Sequence, residues 1–399
     1  MNQVFNIGTF NFHAEPNMNY QFNRVHTVFG GDLNEIREVS RKIKTLDDWK
    51  REFLNLAETA IAENRFMHAA AYYRGANFYI SPNDPDKKTT YDQYVNLIHD
   101  IHREKFETGV IKVFKIPYEN AYLPVWHVNP EDREDKRNVV VMHLGFDAVK
   151  EELIPILDIF RAAGLKLFLF EGPGQGETLI KNNIFMTHEF EKPVKAVLDF
   201  FNLDDVTLIG LSLGGYLAPR AAIHEKRIQR VIAWGVMYDF LDTVLSRRGK
   251  FLEVLLKTLL RLKASAAINT IASLKMKKDP YAKWGIEHGM YVLGAQTPYA
   301  YFRRLRRYSM RTISHLVRQD FLLITGTQDH FVPLSHYHKQ AEKLVNVRSF
   351  TGRIFTKHER AENHVQFGNI PLVVGFMINW IKERTAALQN DIFDESQAT

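Results

Sequence analysis

The sequence predicts an α/β protein: a mostly parallel central sheet flanked by helices, with an N-terminal helical region in front and a helical insertion within. Three observations predict it. From about residue 110, short apolar runs of strand character alternate with segments of helical period. One of these runs, Val206-Thr207-Leu208-Ile209, leads straight into Gly210-Leu211-Ser212-Leu213-Gly214. Two later runs, 228–234 and 321–325, are separated by residues 237–320, far more chain than a single crossover helix needs.

Taken in order, residues 1–30 form an arm carrying Phe5, Phe10, Phe12, Tyr20, Phe22 and Phe29. That is too aromatic for a disordered tail, so the arm is expected to pack on its own domain or on a second subunit. Residues 31–109 are a helical region. Trp49, Phe53, Leu56, Ala57, Ala60 and Ile61 recur at helix spacing, and Ala69, Ala70, Tyr72, Tyr73, Ala76 and Phe78 do so again. Ser81-Pro82-Asn83-Asp84-Pro85 breaks the second run, and a third helix is expected over 91–106.

The α/β core occupies 110–236 and 321–399. It should begin with a hairpin (113–117 and 122–128) and continue through a buried strand 139–142, a helix 152–163 and a strand 165–170. A helix 187–201 follows, then the strands 206–209, 228–234, 321–325 and 347–356 and a final helix. Their run of apolar residues is that of strands covered on both faces. The insertion 237–320 is apolar, basic and helical, and is placed to form a lid over the C-terminal edge of the sheet, where such folds bind ligands. Arg303-Arg304-Leu305-Arg306-Arg307, with Arg311 beyond, alternates with Tyr301, Phe302 and Tyr308, as on the wet face of an amphipathic helix.

Composition narrows the function classes. Of the 399 residues, 45% are hydrophobic and 25% charged, which is ordinary for a globular chain. The net charge of +6 is a modest excess that a solvated surface explains without nucleic acid. No run approaches the roughly 18 apolar residues of a membrane span. The first residues lack the basic start and apolar stretch of a signal peptide. There is no cysteine, which excludes disulfides, thiolate catalysis and cysteine-ligated metals. The cytoplasm is the expected compartment.

The chemistry gathers at strand ends. Gly-x-Ser-x-Gly after a strand places the serine on a sharp strand-to-helix turn that presents its hydroxyl. A serine hydroxyl is a poor nucleophile until a base takes its proton and an acid orients that base. Asp329 follows the strand 321–325 within Gly326-Thr327-Gln328-Asp329-His330-Phe331-Val332-Pro333. His364 lies in Ala361-Glu362-Asn363-His364-Val365-Gln366, between the last strand and the final helix. The order Ser212, Asp329, His364 is the order of an α/β-hydrolase triad. Asp329 could instead cap the next helix. His330, His336 and His338 are weaker candidates for the base, since they sit beside Asp329 or on the helix after it.

Oxyanion donors are expected at the Leu213 N–H, after the nucleophile, and at the Phe146 N–H in His143-Leu144-Gly145-Phe146-Asp147. His143 is expected to be structural, and Asp147 to bind substrate or to hold structure. Glu171-Gly172-Pro173-Gly174-Gln175-Gly176-Glu177 lacks the Gly-Lys-Ser/Thr of a phosphate loop and is expected to be a tight turn at the site's rim. In the lid, Tyr281, Trp284, Tyr291, Tyr299, Tyr301 and Phe302 would suit a flat substrate or would simply form lid core. Tyr291 and Tyr301 are taken with Asp147 as candidate substrate contacts.

Together these segments resemble one branch of the α/β-hydrolases. The resemblance rests on the elbow, the Gly-Pro-Gly-Gln-Gly-Glu turn, the Gly-Phe-Asp loop, the Ala-Glu-Asn-His-x-Gln loop, and Trp49 with Ala71-Tyr72-Tyr73-Arg74-x-Ala76. The branch includes 2,6-dihydroxypseudooxynicotine hydrolase, FrsA-like esterases and yellowish-green-type polyketide-shortening hydrolases. The resemblance spans roughly residues 32–385 and leaves the arm outside. Glu171 stands where an aspartate is usual, and Val365 where a cysteine often is. The resemblance implies a serine hydrolase without a cofactor, acting as a homodimer on a small aromatic or polyketide substrate by cleaving a C–C bond next to a ketone. A carboxylesterase or thioesterase, and a catalytically silent relative that binds or regulates, are the alternatives.

Overall fold

The chain's computed structural model describes residues 5–131, 138–246 and 249–397, with side chains as far as 388. Among these residues, the helices α1 (Pro16–Thr27), α2 (Leu33–Lys42), α3 (Leu46–Ala62), α4 (Phe66–Tyr79), α5 (Asp86–Ile101) and α6 (Arg103–Glu107) come first. The core follows as β1 (Ile111–Tyr118), β2 (Ala121–Val128), β3 (Val139–His143), α7 (Ile154–Ala162), β4 (Lys166–Phe170), α8 (Gly176–Ile180), α9 (Glu191–Phe201), β5 (Val206–Leu211), α10 (Gly214–His224) and β6 (Ile228–Trp234). The described residues of the insertion form α11 (Phe240–Ser246), α12 (Lys250–Arg261), α13 (Ser265–Lys278), α14 (Pro280–Leu293) and α15 (Pro298–Leu305). The chain then returns through β7 (Asp320–Gly326), α16 (Leu334–Lys343), β8 (Ser349–Phe355) and α17 (Ile370–Gln397).

Among the described residues, eight strands form one sheet in the order β1-β2-β4-β3-β5-β6-β7-β8. The β1–β2 and β2–β4 pairs are antiparallel and all the others parallel. Side chains alternate between two buried layers, as the period-2 geometry of a strand requires. Val140, Met142, Leu167 and Ile209 face the layer that holds α3, α4, α7 and α17. Val141, Phe168, Phe170 and Leu208 face the layer that holds α9, α10 and α12. The parallel strands β3, β5, β6 and β7 therefore release their C-terminal loops at one edge, which is where the candidate residues lie.

Three local expectations differ from what forms. The helix expected over 91–106 is two helices, because His102 leaves the helical region at φ −103° and ψ 18°. The helix expected from residue 152 begins as a tight turn over Lys150–Leu153. The basic helix face expected to reach Arg311 stops with α15 at Leu305. There Asp239 and Ser309 form an antiparallel bridge, and the Phe240 N–H to Tyr308 O and Met310 N–H to Tyr238 O bonds pull the chain out of helical register. Arg311 then pairs with Asp239 and Asp242.

The arm packs on its own chain. Asn23 on α1 both accepts from the Phe10 N–H, at 2.7 Å, and donates to the Phe10 carbonyl, at 2.8 Å. Phe22 packs on Trp49 with ring centroids 4.6 Å apart. Gly8 reaches across to bond the Gly368 carbonyl at 2.7 Å, beside the histidine loop. Among the described residues no helix is long and apolar enough to cross a membrane.

Candidate active site

Strand β5 ends at Leu211, and the chain turns into α10 through Ser212 at φ 59°. A left-handed backbone is costly for any residue with a side chain, so something must hold it. The Ser212 N–H donates to Trp234 O at 2.8 Å, and its carbonyl accepts from the Gly215 N–H at 2.8 Å. The turn is crowded: a Cβ at Gly210 would sit 2.2 Å from the Gly214 carbonyl oxygen. Only glycine fits there.

His364 lies on the short turn between β8 and α17. Its Nε2 is 2.8 Å from Ser212 Oγ, and its Nδ1 is 2.7 Å from Asp329 Oδ2. The other Asp329 oxygen accepts the N–H groups of Phe331 and Val332, at 2.8 and 2.9 Å. Burial alone would raise the Asp329 pKa. His364 and the Val332 N–H outweigh it and hold the carboxyl below its ordinary value. The three candidate residues from three separate loops are thus joined by hydrogen bonds. Val365 and Gln366 after the histidine both have positive φ, 49° and 50°. A β-branched residue in that region marks strain next to His364. Trp234 Nε1 donates to Gln366 Oε1 at 3.1 Å and ties this loop to the end of β6.

The loop after β3 lies against the elbow. A Cβ at Gly145 would be 2.6 Å from Leu211 O, 2.8 Å from Ser212 Cβ and 3.1 Å from Leu213 N. Neither the Leu213 N–H nor the Phe146 N–H has an intramolecular acceptor among the described residues. Gln175, from the glycine-rich turn, pins this loop: its Nε2 donates to the Leu144 carbonyl at 2.5 Å, and its Oε1 accepts the Gly172 N–H at 2.9 Å. Below, Glu171 accepts the N–H groups of Lys150 and Glu177, each at 2.8 Å. Lys150 Nζ lies within 3.3 Å of Glu151, Glu171 and Glu177. Burial, with the charge of Glu151, lifts the Glu171 carboxyl to about 7 against the pull of Lys150. His143 is buried against Phe190, its rings 4.6 Å apart, and burial lowers its pKa to about 4. It packs under the elbow and does not touch the Ser212 hydroxyl. His336 bonds Thr243, not Asp329.

Ser212 and His364 open into a cavity of about 460 Å³. Phe146, Leu213, Trp234 and Phe331 line its floor, and α14 closes it with Tyr281, Trp284 and His288. Trp284 and His288 are stacked, their planes 3° apart. Burial first, then the nearby Lys87, lowers the His288 pKa to about 4, so the ring is neutral. Tyr301 is on the cavity wall. Tyr291 is not: it lines a small adjoining pocket with Lys87 and His288. Asp147 borders both spaces. Its Oδ1 is 3.2 Å from Arg24 Nη1, and the charges of Arg24 and Arg74 hold its carboxyl below the ordinary range although burial opposes them.

The residues that sequence reasoning missed come from the arm, the helical region and the turn before α7. Tyr20 and Arg24 on α1 and Glu152 line the cavity. Arg24 and Arg74 both bond Glu152, at 2.5 and 2.6 Å, and Arg74 also donates to the Asp147 carbonyl at 2.7 Å. Arg74 stands inside the motif Ala71-Tyr72-Tyr73-Arg74, a signal that was present without a role attached. Among the described residues no group of three or more His, Asp or Glu is placed to hold a metal ion.

Residues 138–367 match the family described as alpha/beta hydrolase fold. The chain is 30% identical over 299 residues to "Hydrolyase poxO" of Penicillium oxalicum, covering 70% of this chain and 69% of that one. It is 27% identical over 349 residues to "20-hydroxy-prefusarin hydrolase FUS2" of Gibberella moniliformis, covering 76% and 79%. Among solved structures, 2,6-dihydroxy-pseudo-oxynicotine hydrolase aligns with a TM-score of 0.63 at 18% identity, over 91% of this chain and 94% of that one. AbyA5 aligns with a TM-score of 0.65 at 16% identity, over 90% and 93%. These last two likenesses are of fold.

Proposed function

Because the chain belongs to the alpha/beta hydrolase fold family and is a hydrolase, we propose that Ser212, His364 and Asp329 are its catalytic triad and that it cleaves a C–C bond next to a ketone in an aromatic or polyketide substrate. The observation that carries this reading is the continuous path from Asp329 through His364 to Ser212, 2.7 and 2.8 Å, at the floor of an aromatic cavity.

Ser212 Oγ adds to the substrate carbonyl as His364 Nε2 takes its proton. Asp329 keeps His364 in the tautomer that leaves Nε2 free to accept, and stabilises the imidazolium that forms. The N–H groups of Leu213 and Phe146, which have no acceptor among the described residues, hold the oxyanion. Collapse breaks the bond to the α-carbon, and the electron pair leaves as an enolate. His364 returns the proton to that carbon. Water, deprotonated in turn by His364, releases the acyl group as a carboxylic acid. Tyr301, Trp284 and Asp147 would contact the substrate on the wall, with the Trp284–His288 stack giving a flat ring a face to lie on.

Ester or thioester hydrolysis uses the same first step, so the substrates must separate the two. Labelling by a fluorophosphonate, lost in Ser212→Ala, is expected; a folded native protein that takes no label would contradict any serine-hydrolase reading. An aryl β-diketone is expected to be turned over alongside p-nitrophenyl esters. Fast ester hydrolysis with no diketone cleavage would leave an esterase and remove the C–C reading.

A further inference from the structure

We propose that Tyr20, on the helix of the N-terminal arm, is a catalytic residue: its phenol O–H donates a hydrogen bond to the oxygen of the departing group. The inference deepens the reading above and rests on Ser212 as nucleophile.

Four observations converge on it. Tyr20 lines the same cavity as Ser212 and His364. Its ring is clamped by Phe331, Phe367 and His330, with centroids 5.4, 4.7 and 4.5 Å away, and it stands edge-on to the His364 ring at 6.2 Å. That packing fixes where the hydroxyl points, a requirement for a preorganised donor. Tyr20 is 7% exposed as a residue, its hydroxyl makes no hydrogen bond to another described residue, and it is not sealed off as the unpartnered hydroxyls of Tyr79 and Tyr91 are. A phenol oxygen that opens onto a cavity is free to bond a ligand group there.

The chemistry supplies such a group. When the C–C bond breaks, the electron pair moves onto the leaving enolate, and negative charge appears on its oxygen. The Leu213 and Phe146 donors serve the other oxygen, on the acyl side. His364 is engaged in returning the serine proton to the α-carbon. The enolate oxygen therefore needs a third donor on the side of the histidine, which is where Tyr20 lies. Burial, with the nearby carboxylates of Asp147, Asp329 and Glu152 adding to it against Arg24, raises the Tyr20 pKa, so the phenol keeps its proton and only shares it. No net proton is lost by Tyr20, and the reaction consumes one water.

Tyr20→Phe removes one oxygen and keeps the ring packing. The test compares kcat/KM for Tyr20→Phe and the native enzyme on p-nitrophenyl acetate, phenyl acetate, ethyl acetate and an aryl β-diketone. The loss should grow as the leaving group worsens, from less than twofold for p-nitrophenyl acetate to roughly 10²-fold for ethyl acetate and the diketone. An equal loss on every substrate, or none, would overturn the proposal. If the native enzyme ignores the diketone while the graded loss appears in the esters, Tyr20 stands and the C–C reading falls. If the native enzyme turns over none of the four, both fall. Should Tyr20→Phe not fold, as judged by its urea midpoint, Tyr20→Met takes its place in the same comparison and must show the same gradient.

Discussion

The floor of the cavity is made of loops that leave adjacent parallel strands, while its roof is made of helices drawn from both ends of the chain's first three hundred residues. In the floor, geometry is set by backbone: the positive φ of Ser212, the bare Cα of Gly210, and the N–H groups that fix Asp329. In the roof it is set by side chains, above all by Arg24 and Arg74 around Glu152 and by Trp284 on His288. The difference assigns the work. A floor held by backbone keeps Ser212, His364 and Asp329 in register whatever lies above it. A roof held by side chains can be altered residue by residue, and so sets which molecule is admitted.

Substitutions should separate the two parts. The largest effect is expected in the floor: Asp329→Asn keeps the shape but favours the wrong His364 tautomer, and should lower kcat by about 10⁴-fold with little change in KM. Steady-state kinetics on a p-nitrophenyl ester checks it, and a tenfold or smaller loss would mean that Asp329 only caps its loop. Next comes the roof's ion pairs. Arg24→Met leaves the buried Glu152 and the half-buried Asp147 short of a partner and should destabilise the fold by about 3–5 kcal/mol in urea denaturation. Arg24→Met combined with Glu152→Gln should be less damaging than the two losses added together.

A smaller, purely functional effect is expected at Trp284. Trp284→Ala should raise KM for aromatic substrates roughly tenfold and leave kcat within about threefold, as expected of a wall residue that takes no part in the chemistry. Equal losses in kcat and kcat/KM would place Trp284 in the chemistry and blur the division between floor and roof.

The smallest effect concerns pH and the support beneath the floor. The Glu171 carboxyl is raised from 4.5 to about 7 in the fold. A raised folded-state pKa contributes stability fully below about pH 4.5 and loses it as pH rises through about 7. The native chain should therefore lose more of its urea midpoint between pH 5 and pH 7.5 than Glu171→Gln does. Parallel midpoints would mean that Lys150 keeps Glu171 ionised throughout.

The floor was legible because its chemistry is written in short stretches. Gly210 to Gly214, Gly326 to Pro333 and Ala361 to Gln366 each carry a turn and a candidate residue within eight positions, and the strand before each turn sets its place on the sheet. The roof was not legible, because its pairs are long-range. Arg24 meets Glu152 128 positions away, and nothing local to either residue names the other. The aromatic richness of residues 1–30 signalled burial, but not that Tyr20 would lie beside His364. Of the lid aromatics, helical period alone could not tell Tyr301, on the cavity wall, from Tyr291, turned to the pocket beside it.

The central claim is that Ser212 opens a C–C bond on this floor. The most direct measurement is product analysis of an aryl β-diketone incubated with the native enzyme and with Ser212→Ala. The native enzyme should yield equal amounts of a carboxylic acid and a ketone, and the variant a rate reduced by about 10⁴-fold or more. Undiminished cleavage by Ser212→Ala, or a native enzyme that leaves the diketone intact while hydrolysing esters, would contradict it.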